Sequence, residues 1–181
     1  MPAVVSDSGP LIHLAQLDKL RLLQKLFDRV LITTRVKVEV FDEGVRLGYP
    51  DAEIVGQALE EGWLEVESMP ERLAKTSLKL AVGENISRTD AETLLLAKEK
   101  KADLLVDEKA VSALAKMYGL KVWNTWTLLL ESLSKDFLGL TDVEAAVNEL
   151  GRKKFRLSNK QANEVLNSAR IIEKRKARTT P

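Results

Sequence analysis

Two aspartates in this chain directly follow short apolar runs, a placement that suits chemistry done by carboxylates. Asp7 follows Ala3-Val4-Val5-Ser6, and Asp107 follows Leu104-Leu105-Val106. Asp90 opens a strongly helical stretch, residues 90–101, that leads into the second of those runs. Carboxylates gathered in one place repel one another unless they are protonated or share a cation. Oxygen-rich clusters of this kind suit Mg²⁺ or Mn²⁺, which polarise a phosphate and lower the pKa of an attacking water in phosphodiester hydrolysis. Each aspartate also has a plain structural reading. Asp7 precedes Ser8-Gly9-Pro10, a helix-start signal, and could cap the helix that follows. Asp90 could cap its own helix, and Asp107 or Glu108 the next one.

The acids converge only if the elements around them belong to one sheet. Residues 3–6, 29–32, 62–66, 104–106 and 120–123 read as strands, each a few residues long and apolar on both faces. Leu11, Leu14, Leu17, Leu20 and Leu23 recur every three positions, as one helix or as two split at Asp18. Further helices are expected over residues 51–61, 90–101, 109–118, 125–136, 141–150 and 158–175, with a loop after Gly83-Glu84. Short strands buried on both faces and separated by helices predict an α/β fold with a parallel sheet. Ligands of such sheets bind beyond the carboxyl ends of the strands, where the strand order reverses. The first and fourth strands must therefore be neighbours if Asp7 and Asp107 share a crevice. Residues 33–43 are ambiguous. Val36, Val38 and Val40 alternate with Lys37 and Glu39, a strand pattern, while Val36, Val40 and Phe41 share a helical face. The residues alone favour a strand there. A seam at 138–140 is expected to divide a domain of residues 1–138 from a helical extension of residues 139–181.

Composition narrows the chemistry further. The chain has no Cys, which excludes disulfides, thiolate metal sites and cysteine nucleophiles, and a single His, which excludes a multi-histidine metal site. That His13 falls among apolar helix positions and reads as a packed side chain. Trp63, Trp123 and Trp126 read as core rather than as base-stacking platforms. No signal peptide opens the chain and no apolar run approaches ~18 residues, so a soluble, cytoplasmic protein with no membrane partner is expected. The net charge of +1 hides an asymmetry: residues 151–181 carry ten Lys/Arg against two acids, a local +8 that leaves the first 150 residues at −7. A basic tail on an acidic body is expected to contact RNA or an acidic partner.

Four stretches occur in order: Val4-Val5-Ser6-Asp7-Ser8-Gly9-Pro10-Leu11, Val36-Lys37-Val38-Glu39, Thr89-Asp90-Ala91-Glu92 running to Ala97, and Leu104-Leu105-Val106-Asp107-Glu108. Together they resemble the PIN domain, and more narrowly its archaeal and bacterial branch long catalogued as a domain of unknown function related to VapC toxins. Gly62-Trp63-Leu64 and Gly119-Leu120-Lys121-Val122 fit that branch too. The resemblance spans roughly residues 3–136, and Lys154-Phe155-Arg156-Leu157-Ser158 resembles the branch's C-terminal extension.

The resemblance implies a three-layer α/β/α fold with a central five-stranded parallel sheet. It implies a metal-dependent ribonuclease that cleaves single-stranded RNA and leaves a 5′-phosphate. It also implies the toxin half of a toxin–antitoxin pair, a homodimer with an antitoxin protein as partner. By position, Asp7, Glu39, Asp90 and Asp107 would be the catalytic acids, with Asp7, Asp90 and Asp107 as ligands of Mg²⁺ or Mn²⁺ and Glu39 carried on a helix. Ser8 and Thr125 would be supporting polar residues. Glu108 stands where the branch often has the second Asp of a pair, so it competes with Asp107. Ser112 replaces a frequent Arg, and Asn124 a common Gly. The alternative is a catalytically weak PIN-fold module that acts through a protein partner or RNA. An aspartate-based phosphoryl-transfer protein fits less well, because Gly9 stands where a haloacid-dehalogenase-type phosphatase has its second Asp.

Overall fold

Five short apolar runs pair into one all-parallel sheet: β1 (Ala3–Ser6), β2 (Arg29–Thr33), β3 (Leu64–Glu67), β4 (Asp103–Leu105) and β5 (Val122–Trp123). Their order is β3-β2-β1-β4-β5. Val4, Val5, Leu31, Ile32, Leu104 and Leu105 are fully buried, as strands covered by helices on both faces must be. The computed structural model describes residues 2–153 and 157–179, so Lys154, Phe155 and Arg156 of the expected C-terminal motif lie outside the described residues. The fold is the expected three-layer α/β/α arrangement.

The chain winds from β1 outward through β2 and β3, then returns to the other side of β1 as β4. That reversal opens a crevice at the carboxyl ends of β1 and β4. Val5 pairs with Leu104 and Ser6 with Leu105. The ladder continues past the strand, because the Asp7 N–H donates to the Leu105 carbonyl at 2.9 Å. Asp7 is thus pinned by backbone pairing before its side chain does anything.

Two compact units divide the chain, Met1–Asn124 and Thr125–Pro181. In the first, the helices are α1 (Ser8–Gln16), α2 (Leu22–Leu26), α3 (Thr34–Lys37), α4 (Glu43–Leu47), α5 (Pro50–Glu60), α6 (Glu71–Glu84), α7 (Arg88–Lys100) and α8 (Lys109–Met117), with a π-helical turn at Val38–Asp42. Asp18, in the left-handed region at φ 55°, splits the leucine repeat into α1 and α2. Helix α6 has no counterpart in the sequence reading. Only Leu73 and Ser77 of it are buried, so its apolar face is too thin to show as a periodic pattern.

The strand favoured over residues 33–43 is instead helical. Thr33 ends β2, and its Oγ1 accepts the Val36 N–H at 3.2 Å, capping α3. Val36 and Val40 are buried while Val38 is 40% exposed; in a strand all three would share a face. Close packing holds this segment. A Cβ on Gly56 of α5 would lie 2.7 Å from Phe41 Cε2 of the π-helical turn, and one on Gly44 would lie 2.7 Å from Ala52 Cβ.

The second unit holds α9 (Thr125–Ser134), α10 (Leu140–Arg152) and α11 (Asn159–Thr179). Leu138 and Gly139 of the expected seam lie in the turn between its first two helices, and Leu140 opens α10. Part of the basic tail is paired inside the unit: Lys176 Nζ lies 2.5 Å from Asp136 Oδ1, and Arg170 lies 3.6 Å from Glu144. No helix among the described residues is long and apolar enough to cross a membrane.

Candidate active site

Asp7 occupies the N-cap position of α1, yet its side chain makes no capping hydrogen bond. It is 9% exposed. Its Oδ1 is the one buried side-chain polar atom among the described residues with no hydrogen-bond partner. Burial and then the Asp90 carboxylate lift its pKa from 3.8 to about 7; the Ser8 backbone N–H opposes them, and Glu39 and Asp107 push further upward. A capping role would have satisfied this carboxylate, so the plain reading of Asp7 fails.

Asp90 carries both readings at once. It is the third residue of α7, and Ser87 is the N-cap. Ser87 Oγ accepts the Asp90 N–H at 2.9 Å, while Asp90 Oδ2 accepts the Ser87 N–H at 3.2 Å and its hydroxyl at 2.7 Å. This reciprocal box closes two orphan donors of the helix end. The same carboxylate is the strongest electrostatic neighbour of Asp7.

Asp107 follows β4 and is held by the only histidine. Its Oδ2 lies 2.8 Å from His13 Nδ1, with the side chains 12% and 17% exposed. An ionised carboxylate only accepts, so Nδ1 is the donor of this hydrogen bond when Asp107 is charged. A Cβ on Gly9 would lie 3.9 Å from Asp107 Oδ2, which places the carboxylate over the first turn of α1. Glu108 is exposed at the N-cap of α8, makes no capping bond and is not among the groups that act on Asp7.

Glu39 projects from the π-helical turn, a feature that often marks functional positions. Its Oε1 accepts the Thr89 hydroxyl at 2.6 Å, tying the turn to α7 beside Asp90. The structure therefore places Glu39, Asp90 and Asp107 each within electrostatic reach of Asp7 at the sheet's switch point. Ser8 contributes its backbone N–H. Thr125 opens α9 in the second unit, where it is fully buried.

The sequence reading missed His13, Thr89 and a charged trio. Glu92 is 4% exposed, and its Oε1 accepts Nε–H from Arg35 at 2.9 Å and from Arg88 at 3.0 Å. The Arg88–Glu92 pair has helical i,i+4 spacing and was open to reading. Arg35, 57 residues from Glu92, gives no local signal.

Among the described residues no three carboxylate or imidazole side chains converge into a metal cage. The chemistry of the donors still fits a hard divalent cation. Mg²⁺ demands little of the protein, often one or two carboxylates with several waters retained, and the orphaned Asp7 Oδ1 is such a donor. The profile of a PIN domain family, DUF3368, matches residues 3–170. The chain belongs to the PIN domain family. PIN domains are, at the superfamily level, nuclease-type hydrolases that generally use divalent metals. This PIN domain shares its fold with PAE2754 from Pyrobaculum aerophilum, a crystal structure matched with a TM-score of 0.53 and 19% identity over 72% of this chain and 88% of that one. A PilT N-terminus domain protein, SSO1118 from the hyperthermophilic archaeon Sulfolobus solfataricus, matches with a TM-score of 0.46 and 20% identity over 72% and 93% of the two chains. No curated protein matches the chain.

Proposed function

We propose that this PIN domain is a Mg²⁺- or Mn²⁺-dependent endoribonuclease that hydrolyses single-stranded RNA and leaves a 5′-phosphate. One observation carries the reading: Asp7 is a buried carboxylate with an orphaned oxygen, set among three other acids at the switch point of the sheet. A buried unsatisfied polar atom costs about 1–3 kcal/mol, and more when charged. The fold gains nothing from that cost, whereas a bound cation recovers it.

Asp7, Asp90 and Asp107 would hold the ion. When bound, it lowers the pKa of the attacking water and neutralises charge developing on the phosphate. The chain's own residues prepare the place. His13, Thr89 and Ser87 each hold one carboxylate oxygen, of Asp107, Glu39 and Asp90 respectively. Three of the four acids are thus oriented beforehand, the arrangement that keeps ligands in register. Glu39, exposed and outside the ligand set, is left to orient or deprotonate the attacking water. The reading extends to a cytoplasmic toxin that acts as a homodimer and is restrained by an antitoxin protein; its support is the resemblance of the sequence motifs to the toxin-related PIN branch.

A second reading, a catalytically weak PIN-fold module acting through a protein partner or RNA, draws on the commitment of Asp90 Oδ2 to the helix cap. One assay separates the two. The nuclease reading expects Mg²⁺ or Mn²⁺ to start cleavage of single-stranded RNA, EDTA to stop it, and product ends to carry a 5′-phosphate. RNA binding without metal-dependent cleavage would leave the module.

A further inference from the structure

Arg35 and Arg88 share one oxygen of the buried Glu92, so the trio carries a surplus positive charge within an acidic edge of the sheet. Both side chains stay accessible, 43% and 36% exposed, while the Glu92 side chain is 5% exposed. Each guanidinium is tethered through Nε, which leaves its terminal amino groups for another acceptor. Burying Glu92 fixes where those groups stand, because a carboxylate taken from water is held by its partners.

Position connects the pair to the acids. Arg88 adjoins Thr89, whose hydroxyl holds Glu39, and lies two residues before Asp90. Arg35 lies about one helical turn before Glu39, on the segment that carries it. Arg88 therefore shares α7 with Asp90, and Arg35 sits on α3, which runs directly into the π-helical turn that carries Glu39. An acidic crevice repels a polyanion until a cation neutralises it. A preset guanidinium pair beside it supplies the missing attraction, and the planar fork of Arg matches phosphate oxygens better than Lys does.

We propose that Arg35 and Arg88, preset by Glu92, bind a backbone phosphate of single-stranded RNA next to the scissile one. This rests on the nuclease reading for its substrate, but its test does not depend on turnover. The full chain carrying Asp7→Asn is titrated with a short fluorescent single-stranded RNA across a salt series. Adding Arg35→Gln or Arg88→Gln should weaken binding about tenfold at low salt. Because the two share one phosphate, the Arg35→Gln/Arg88→Gln double variant should flatten the plot of log affinity against log salt by about 0.7, the value of one single-strand phosphate contact, and each single variant by part of that. Lys79→Gln removes the same charge from exposed α6 and should change neither quantity. Arg35→Lys keeps the charge, so it should keep the slope and lose only part of the affinity; this variant also covers a Gln variant that folds poorly.

Unchanged affinity and slope in the Arg variants, or equal losses in Lys79→Gln, would overturn the proposal. So would no measurable RNA binding by the Asp7→Asn chain, or losses confined to an acidic polyglutamate probe. The nuclease reading stands apart. Metal-dependent cleavage with wild-type KM in Arg35→Gln and Arg88→Gln would remove the phosphate pair and keep the nuclease. Phosphate-pair binding in a wild-type chain that never cleaves would do the reverse.

Discussion

Asp7 and Glu92 are both carboxylates withdrawn from water, 9% and 4% exposed, and their surroundings differ in sign. Glu92 takes two guanidinium N–H groups on one oxygen. Asp7 keeps an oxygen with no partner and is pushed further toward protonation by Asp90, Glu39 and Asp107. Burial of charge is tolerable when it is paired and hydrogen-bonded. Glu92 meets that condition and knits α3 to α7. Asp7, at the carboxyl end of β1, fails it, and that failure is what the proposed cation would relieve.

The largest effect that could break this contrast is on turnover. Asp7→Asn keeps the size of the side chain and removes its charge. Loss of a metal ligand removes several kcal/mol of transition-state stabilisation, so cleavage of single-stranded RNA at saturating Mn²⁺ should fall by about three orders of magnitude. Wild-type rates in this variant would take Asp7 out of the site.

The same substitution should act on stability in the opposite direction. Asp7 has a folded-state pKa near 7 against 3.8 for the free group. Below pH 3.8 the group is protonated in both states and costs nothing. Between pH 3.8 and about 7 the unfolded chain ionises first, so stability is lost as pH rises through that window, and above it the loss is complete. Its full size would be about 4 kcal/mol, an upper figure. In EDTA, urea unfolding should therefore show wild type weakening from pH 4 to pH 8 relative to Asp7→Asn, with the variant a few kcal/mol more stable at pH 8. Mn²⁺ should narrow the gap by stabilising wild type alone. A constant difference between the two proteins across that range would mean that Asp7 does not carry the strain assigned to it.

Glu92 should respond with the other sign. Glu92→Gln removes a charge that two arginines already satisfy. A fully buried pair broken in this way costs about 3–5 kcal/mol, but both guanidiniums reach solvent and are screened, so a loss of about 1–2 kcal/mol is expected. Thermal or urea unfolding at pH 7 measures it. A Glu92→Gln protein as stabilised as Asp7→Asn would erase the distinction between the two carboxylates.

Which of these features the residues announce depends on range. Asp7 and Asp107 were legible because a buried strand is a short apolar run, and the first polar residue after it lies at the carboxyl edge. That the two edges are adjacent follows from strand order, which the runs alone do not specify. Glu39 was not legible from its surroundings. Three valines at alternate positions mimic a strand, and the outcome turns on the Thr33 cap and on the room that Gly56 leaves for Phe41. The family resemblance alone put Glu39 on a helix. His13 looked like one more position on a leucine-rich face, since nothing local tells that Asp107, 94 residues away, closes on it.

Asp90 lies between the two extremes and offers the smallest and most discriminating test. Its Oδ2 is held by the N–H and hydroxyl of Ser87, while its charge bears on Asp7. Ser87→Ala removes the N-cap acceptor and should cost about 1 kcal/mol of stability. Ser87→Gly also removes the hydroxyl but caps almost as well, so its cost should be a few tenths of a kcal/mol. Neither variant leaves a hydroxyl to orient the Asp90 carboxylate. If that orientation serves the cation, both should weaken Mn²⁺ binding by calorimetry to the same extent, about tenfold or somewhat more, the usual effect of losing a group behind a ligand. Ser87→Thr should restore both quantities. Affinity that tracks stability, lower in Ala and intact in Gly, would make the cap the whole role of Ser87. Affinity unchanged in both would assign Asp90 to the helix end and leave Asp7 and Asp107 to hold the ion.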